Sequence, residues 1–103
     1  ALYDAWHDIL PLKQANAGAT EQAYEIVGPV CESGDFIGHG RRLSLQEGDL
    51  LAIMSTGAYG MAMSSNYNSR PRAAEVMVDR DQAHLIRQRE DIAQLYALES
   101  TLP

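Results

Sequence analysis

The sequence predicts a mainly β fold, because short runs of branched and aromatic residues alternate with turn-forming segments along most of the chain. A length of 103 residues corresponds to one domain at most. A hydrophobic share of 46% is ordinary for a folded protein, so disorder is not expected. We therefore expect a barrel-like or sandwich-like β domain with one short internal helix and one carboxy-terminal helix.

The first half of the chain supplies three of the predicted strands. Residues 3–13 are rich in aromatic and branched side chains but contain a proline, which indicates a strand with a bend. Residues 22–30 alternate in polarity and predict a second strand. Residues 36–42 are rich in glycine and end in two arginines. The continuous apolar run 50–54 is typical of a strand buried on both faces.

The second half predicts a helix, a hairpin and a final helix. Small residues and methionines at helical spacing favour a short helix over residues 58–65. Residues 75–78 and 84–86 flank a polar turn and predict a hairpin. Residues 90–98 carry one apolar stripe and begin with acidic residues, so they predict the last helix. A common sheet or barrel is expected from the strands near residues 24–30, 49–54, 75–79 and 83–88.

Composition excludes several classes of function. A net charge of −6 argues against nucleic acid or an anionic membrane as partner. No apolar run approaches the ~18 residues that span a bilayer, and no signal peptide is visible. A single cysteine excludes an internal disulfide and suits a reducing, cytoplasmic location. No metal site is expected, because the three histidines lack ligand spacing. The chain begins at Ala1 without Met, which suggests a piece of a longer protein.

The first candidate site is the run VGPVCESGD at residues 27–35, which contains the only cysteine, Cys31, next to Glu32. Glycine and proline on both sides of this pair indicate a tightly shaped loop. A lone cysteine is usually a small buried hydrophobic residue. Here the neighbouring Glu32 and Asp35 disfavour a thiolate, so Cys31 should remain protonated and suit the role of a general acid. Glu32 beside it is placed to bind a cation.

The second candidate site is the run GAYG at residues 57–60. Tyr59 could be aromatic core filling, but flanking glycines let a backbone approach a ligand closely, and the phenol adds a donor. The polar stretch that follows contains Asn66, Asn68 and Arg70. For these asparagines, hydrogen bonding within turns is the better interpretation.

Four motifs together resemble the carboxy-terminal region of the diaminopimelate decarboxylase family. They are ALYDA (1–5), VGPVCESGD (27–35), GAYG (57–60) and SSNYNSRPRAAEV (64–76). Their order and spacing match over nearly the whole chain. Glutamate after Cys31 favours this family over the related ornithine and arginine decarboxylases, which typically have aspartate there.

The resemblance implies a pyridoxal-phosphate enzyme of the alanine-racemase-like class, in which a TIM-type barrel precedes the β domain formed by residues 1–103. It implies decarboxylation of meso-diaminopimelate to lysine by a homodimer with active sites at the subunit boundary. Cys31 corresponds to the proton donor, and Glu32 to the residue that contacts the distal end of the substrate. Tyr59 corresponds to a contact of cofactor and substrate, and Tyr3 to a contact of the substrate's carboxylate end.

One residue type limits what the chain can do alone. A pyridoxal enzyme needs a lysine that binds its cofactor covalently, and the resemblance gives the only lysine, Lys13, no such role. The cofactor lysine is therefore expected in a separate amino-terminal barrel, and this chain should be inactive alone. Two alternatives stay open: an ornithine- or arginine-type decarboxylase of the same fold, and a non-catalytic dimerisation or regulatory module.

Overall fold

The computed structural model describes residues 4–13 and 20–103. Its strands form antiparallel pairs. The strands are β1 (Ile9–Pro11), β2 (Gln22–Val27), β3 (Phe36–Leu43), β4 (Leu51–Ile53), β5 (Glu75–Asp79) and β6 (Gln82–Arg87), followed by helix α1 (Ile92–Leu95). Internal contacts divide the chain into two units, residues 1–56 and 57–103. The mainly β prediction is confirmed.

In the first unit, β1 pairs with β4 over three residues, with Ile9 opposite Ile53. The prediction of a strand in each segment is confirmed, although both strands are shorter than expected. A proline has no N–H for a ladder, so β1 ends at Pro11. The prediction that β4 is buried on both faces is wrong, because all three of its residues are only half-buried. Its sole hydrogen-bonded neighbour among the described strands is β1.

The longest strand, β3, was not predicted from its glycine-rich sequence and pairs with β2 through an irregular register. Glycine normally weakens a strand, but Gly38 has a packing role here. A Cβ on Gly38 would lie 2.7 Å from Nε of Arg41 and 2.9 Å from Cδ1 of Ile9. The glycine therefore makes room for two side chains that come from neighbouring positions in the fold.

These two side chains are also the most buried ones in the described residues. Ile9 is the single hydrophobic residue in the buried class, at 6% exposure, and Arg41 is 7% exposed. The Arg41 guanidinium stacks on the ring of Trp6, with Cζ 3.3 Å from the ring centroid, which is a cation–π arrangement. Nε of Arg41 is buried without a hydrogen-bond partner. The first unit is thus centred on a stacked arginine rather than on an aliphatic core.

In the second unit, β5 and β6 form the predicted hairpin, with Asp79 opposite Gln82 across a two-residue turn. The predicted helix at 58–65 is wrong, since residues 57–63 form hydrogen-bonded turns. Glycines at both ends of the GAYG run lower helix propensity. Ser64 Oγ also donates to the Met61 carbonyl at 2.6 Å, which offers the backbone an alternative to the helix.

The carboxy-terminal helix is confirmed but has only four residues, Ile92–Leu95. Asp91 begins it with a capping box: its Oδ1 accepts from Gln94 N at 3.0 Å, and Gln94 Oε1 accepts from Asp91 N at 2.8 Å. A single-turn 3-10 helix at Tyr67–Ser69 precedes β5. No helix in residues 4–13 and 20–103 is long and apolar enough to cross a membrane.

The expected common sheet or barrel is not confirmed. The described strands form three separate two-stranded sheets, so each strand has one hydrogen-bonded neighbour. A closed barrel requires two neighbours for every strand. The large apolar side chains of the hairpin are exposed, and those of Val78 and Leu85 are more than 60% exposed. The described strands therefore pair only two by two, and many large apolar side chains remain exposed to solvent.

Candidate functional site

The loop between β2 and β3, residues 28–35, presents both of the predicted acid and cation-binding groups. The Cys31 thiol is exposed. Glu32 folds back on its own loop, where its Oε1 accepts from Gly34 N at 3.0 Å and from Ser33 Oγ at 3.1 Å. The Glu32 carboxylate is therefore fixed by short-range hydrogen bonds within the loop, and both it and Cys31 are exposed, where a ligand can reach them.

The same loop is closed at its base by Asp35. Its carbonyl accepts from Gly28 N at 2.8 Å, and its own N–H donates to the Glu32 carbonyl at 3.0 Å. Its side chain accepts from Val30 N at 2.7 Å. The predicted tight loop is confirmed.

Tyr59 lies in the turn at residues 57–63 of the second unit and is 71% exposed. Its carbonyl accepts from Met63 N at 3.0 Å, which fixes the backbone of the turn. A Cβ on Gly57 would meet nothing within 4 Å, so this part of the turn is open. The remaining predicted site residue, Tyr3, lies outside the described residues.

Glu90 forms a polar cluster that the sequence analysis missed. Its Oε1 accepts from Arg72 Nε at 2.7 Å, while its Oε2 accepts from Arg72 N at 2.8 Å and from Asn66 Nδ2 at 2.7 Å. Hydrogen bonds from the Arg72 side chain and backbone, then from Asn66, lower the pKa of Glu90 to about 2. Asn66 also donates to the Arg70 carbonyl at 3.1 Å, which confirms its interpretation as a turn-stabilising residue. The cluster ties the loop after Tyr59 to the segment before α1.

Other titratable groups have structural partners or stay in solvent. His39 Nδ1 lies 2.6 Å from Glu25 Oε2, and hydrogen bonds from Gly40 N and His39 lower the pKa of Glu25. Lys13, the only lysine of the sequence, is exposed in the bend after β1. Within the part of the chain that the structure describes, no three metal-ligating side chains lie close enough together to hold an ion.

Comparison with known proteins identifies the class to which this fold and loop belong. Residues 1–57 match the model of the pyridoxal-dependent decarboxylase C-terminal sheet domain, and the chain belongs to that family. Its relatives are diaminopimelate decarboxylases. The enzyme of Vibrio cholerae serotype O1 is 61% identical over 103 residues, and that of Pseudomonas fluorescens is 56% identical over the same length. Each alignment covers 100% of this chain and 24% of the relative, so the chain spans about a quarter of their length.

Solved structures agree with this assignment. Diaminopimelate decarboxylase from M. jannaschii in complex with L-lysine matches with a TM-score of 0.88 and 40% identity, over 98% of this chain and 23% of that one. The Helicobacter pylori enzyme, also complexed with L-lysine, matches with a TM-score of 0.83 and 39% identity, over 95% and 24%. The sheets described above are therefore the fold of this family's carboxy-terminal region.

One of the residues present fits a contact with the pyridoxal cofactor of this family. The exposed Tyr59 phenol on an open turn can donate to a ligand that approaches from outside. The chain offers one amine for covalent attachment, on Lys13, and this group stands in solvent rather than in a shaped pocket.

Proposed function

We propose that this chain is the carboxy-terminal part of a diaminopimelate decarboxylase, which converts meso-2,6-diaminopimelate to L-lysine and carbon dioxide in the last step of lysine biosynthesis. The observation that carries the proposal is the Cys31–Glu32 loop, in which an exposed cysteine is followed directly by a carboxylate that is hydrogen-bonded to its own loop. Similarity to enzymes of that name over the full chain supports the same conclusion.

Cys31 acts as the general acid. Pyridoxal phosphate, when bound, supplies the electron sink that lets the substrate lose carbon dioxide. The carbon that loses its carboxylate must then receive a proton, and Sγ of Cys31 delivers it. Exposure on a hydrogen-bonded loop suits this role, because the donor must meet a substrate from outside while its backbone stays in place.

Glu32 selects the substrate. Its carboxylate binds the ammonium group at the non-reacting end of diaminopimelate by a charge-assisted hydrogen bond. Gly34 N and Ser33 Oγ both donate to Oε1, which leaves acceptor capacity on Oε2 for the ligand. A substrate with a single amino group has no ammonium group at its non-reacting end, so the Glu32 carboxylate discriminates against it by charge.

The remaining parts of the site are two tyrosines of this chain and groups from outside it. Tyr59 contacts cofactor and substrate through its phenol, and Tyr3 contacts the carboxylate end of the substrate. The cofactor-binding lysine lies in an amino-terminal TIM-type barrel, and Lys13 has no catalytic role. The enzyme is a homodimer in which Cys31 and Glu32 serve the active site of the neighbouring subunit, so residues 1–103 alone are inactive.

Two substitutions in the complete enzyme separate the roles within the loop. Cys31→Ala should lower kcat about 100- to 10,000-fold, the usual effect of losing a general acid, with a smaller change in KM. Glu32→Gln should instead raise KM for meso-diaminopimelate roughly 10- to 100-fold, because an ammonium group loses its charged partner. Steady-state lysine production measures both.

Glu47→Gln is the matched control, since Glu47 is an exposed carboxylate in the same unit, on the turn before β4. It should leave both constants unchanged. A Cys31→Ala enzyme with full activity would make the cysteine a structural residue and refute the proposed mechanism. Preferential turnover of ornithine or arginine would refute the substrate assignment while leaving the fold class intact.

A further inference from the structure

The loop that carries Cys31 depends on one residue at its far end, Asp35. Two backbone hydrogen bonds of Asp35 close the loop, one from Gly28 N to its carbonyl and one from its N–H to the Glu32 carbonyl. These bonds join the end of β2 to the start of β3. They close the loop and the turn from Glu32 to Asp35, but neither bond constrains the backbone directly before Cys31.

The side chain of Asp35 provides that constraint. Its Oδ2 accepts from Val30 N at 2.7 Å, in a partly buried position. Val30 directly precedes Cys31, so this bond fixes the Pro29–Val30 peptide unit, one residue before the thiol. A short hydrogen bond to a carboxylate is among the stronger kinds in proteins.

Gly28 makes room for this arrangement. A Cβ on Gly28 would overlap the carboxylate of Asp35, so any other residue at this position would displace the carboxylate from Val30 N. The glycine and the aspartate are seven positions apart in sequence and function as one unit in space. The Asp35 carboxylate therefore occupies the space that a side chain at Gly28 would need, and from there it accepts the hydrogen bond of the Val30 amide.

We propose that Asp35 is a positioning residue for catalysis, which holds Cys31 and Glu32 in their working orientation through the Val30 amide and requires glycine at position 28. The inference rests on the proposed function of Cys31 and Glu32. It adds that the reaction depends on a carboxylate that touches neither substrate nor cofactor. A misplacement of about 1 Å in a catalytic group can cost roughly 100-fold in rate.

The experiment is a double-mutant cycle in the complete enzyme with Gly28→Ala, Asp35→Ala and both together. Each single substitution should lower kcat about 10- to 100-fold, because a displaced carboxylate and a deleted one both release the Val30 amide. Adding Gly28→Ala to Asp35→Ala should cost little more, since the overlap no longer exists. Asp35→Asn, which keeps an acceptor oxygen at the same place, should recover most of the activity.

Asp49→Ala is the matched structural control. Asp49 makes the same kind of bond in another turn, where its Oδ2 accepts from Gln46 N at 2.8 Å. Asp49→Ala should lower the melting temperature about as much as Asp35→Ala does, without changing kcat. If Asp35→Ala does not fold, Gly28→Ala alone decides the matter, because the carboxylate cannot keep its place beside a Cβ.

The outcomes separate the two proposals. Suppose that Cys31→Ala lowers kcat but Gly28→Ala or Asp35→Ala keeps the wild-type value. This result would overturn the positioning role of Asp35 and leave the proposed function intact. Fully additive losses in the cycle also overturn it, since the two residues would then act independently. An active Cys31→Ala enzyme refutes the proposed function itself.

Discussion

At the scale of single residues, this chain uses its carboxylates in distinct ways. Glu32 is held at the loop surface by two donors on one oxygen, which leaves the other available. Glu90 is saturated by donors from Arg72 and Asn66 and exposes only 18% of its side chain. Charge-assisted bonds of this kind favour the ionised form. The first carboxylate is suited to binding a ligand, and the second to holding the fold.

Glu90→Gln tests the second role through the pH dependence of stability. The folded-state pKa of Glu90 is about 2, below its ordinary value of 4.5, so its stabilising effect is fully present above 4.5. It is lost as the pH falls from 4.5 towards 2. The melting temperature of the complete enzyme should therefore be lower in Glu90→Gln at neutral pH, and the difference should shrink below 4.5. A difference that stays constant with pH, or that also occurs in Glu47→Gln, would contradict this assignment.

At the scale of secondary structure, short elements depend on local sequence signals. The β5–β6 hairpin turns through Arg80, whose φ is 58°. Helix α1 has only four residues and so gains little from its own backbone hydrogen bonds. Its capping box accounts for two backbone donors that would otherwise lack partners. The element is therefore defined by its first residues rather than by its length.

Asp91→Ala should open this helix locally. Removal of an N-cap side chain typically costs about 1 kcal/mol, which corresponds to roughly fivefold faster amide exchange at the capped N–H. The Gln94 amide of the complete enzyme, followed by hydrogen–deuterium exchange, reports this change. Asp81→Ala, in the β5–β6 turn, is the control and should leave Gln94 unaffected. Equal exchange of Gln94 in Asp91→Ala and wild type would show that packing by other parts of the protein maintains the helix.

At the scale of the whole molecule, the chain leaves most of its apolar surface in solvent. Ile9 is the single buried hydrophobic residue among those described, whereas Trp6, Val78 and Leu85 are all more than 60% exposed. Its relatives are about four times as long, since it covers 24% of each. An exposed apolar area of this extent is typical of surfaces that other parts of a protein cover.

Subunit mixing tests whether the site is shared between two chains. One full-length variant carries Cys31→Ala, and the other lacks the cofactor-binding lysine of the barrel. If Cys31 serves the neighbouring subunit, each heterodimer contains one site with both groups intact and one with neither. Random exchange should then restore about a quarter of wild-type activity. Absence of recovery, despite exchange demonstrated with differently tagged subunits, would place Cys31 in the site of its own subunit.

Features that depend on neighbouring residues could be predicted from the sequence. The Cys31–Glu32 loop, the β5–β6 hairpin and the last helix are all predicted from the sequence. The signals are turn formers, alternation and acidic residues at the helix start, which act within a few positions. Sequence motifs also identified the family, which comparison confirmed. The helix predicted over residues 58–65 is wrong, because helical spacing was outweighed there by glycine and by the bond from Ser64 to Met61.

Contacts between residues that are distant in sequence could be seen only in the folded structure. Strand β3 forms despite its glycines because Gly38 admits Arg41 and Ile9, and the partner of Glu90 is Arg72, 18 positions away. The overlap between a side chain at position 28 and the Asp35 carboxylate likewise appears only once the loop has closed. A one-dimensional pattern records the spacing of residues, whereas these contacts depend on chain reversal and on the space left between side chains.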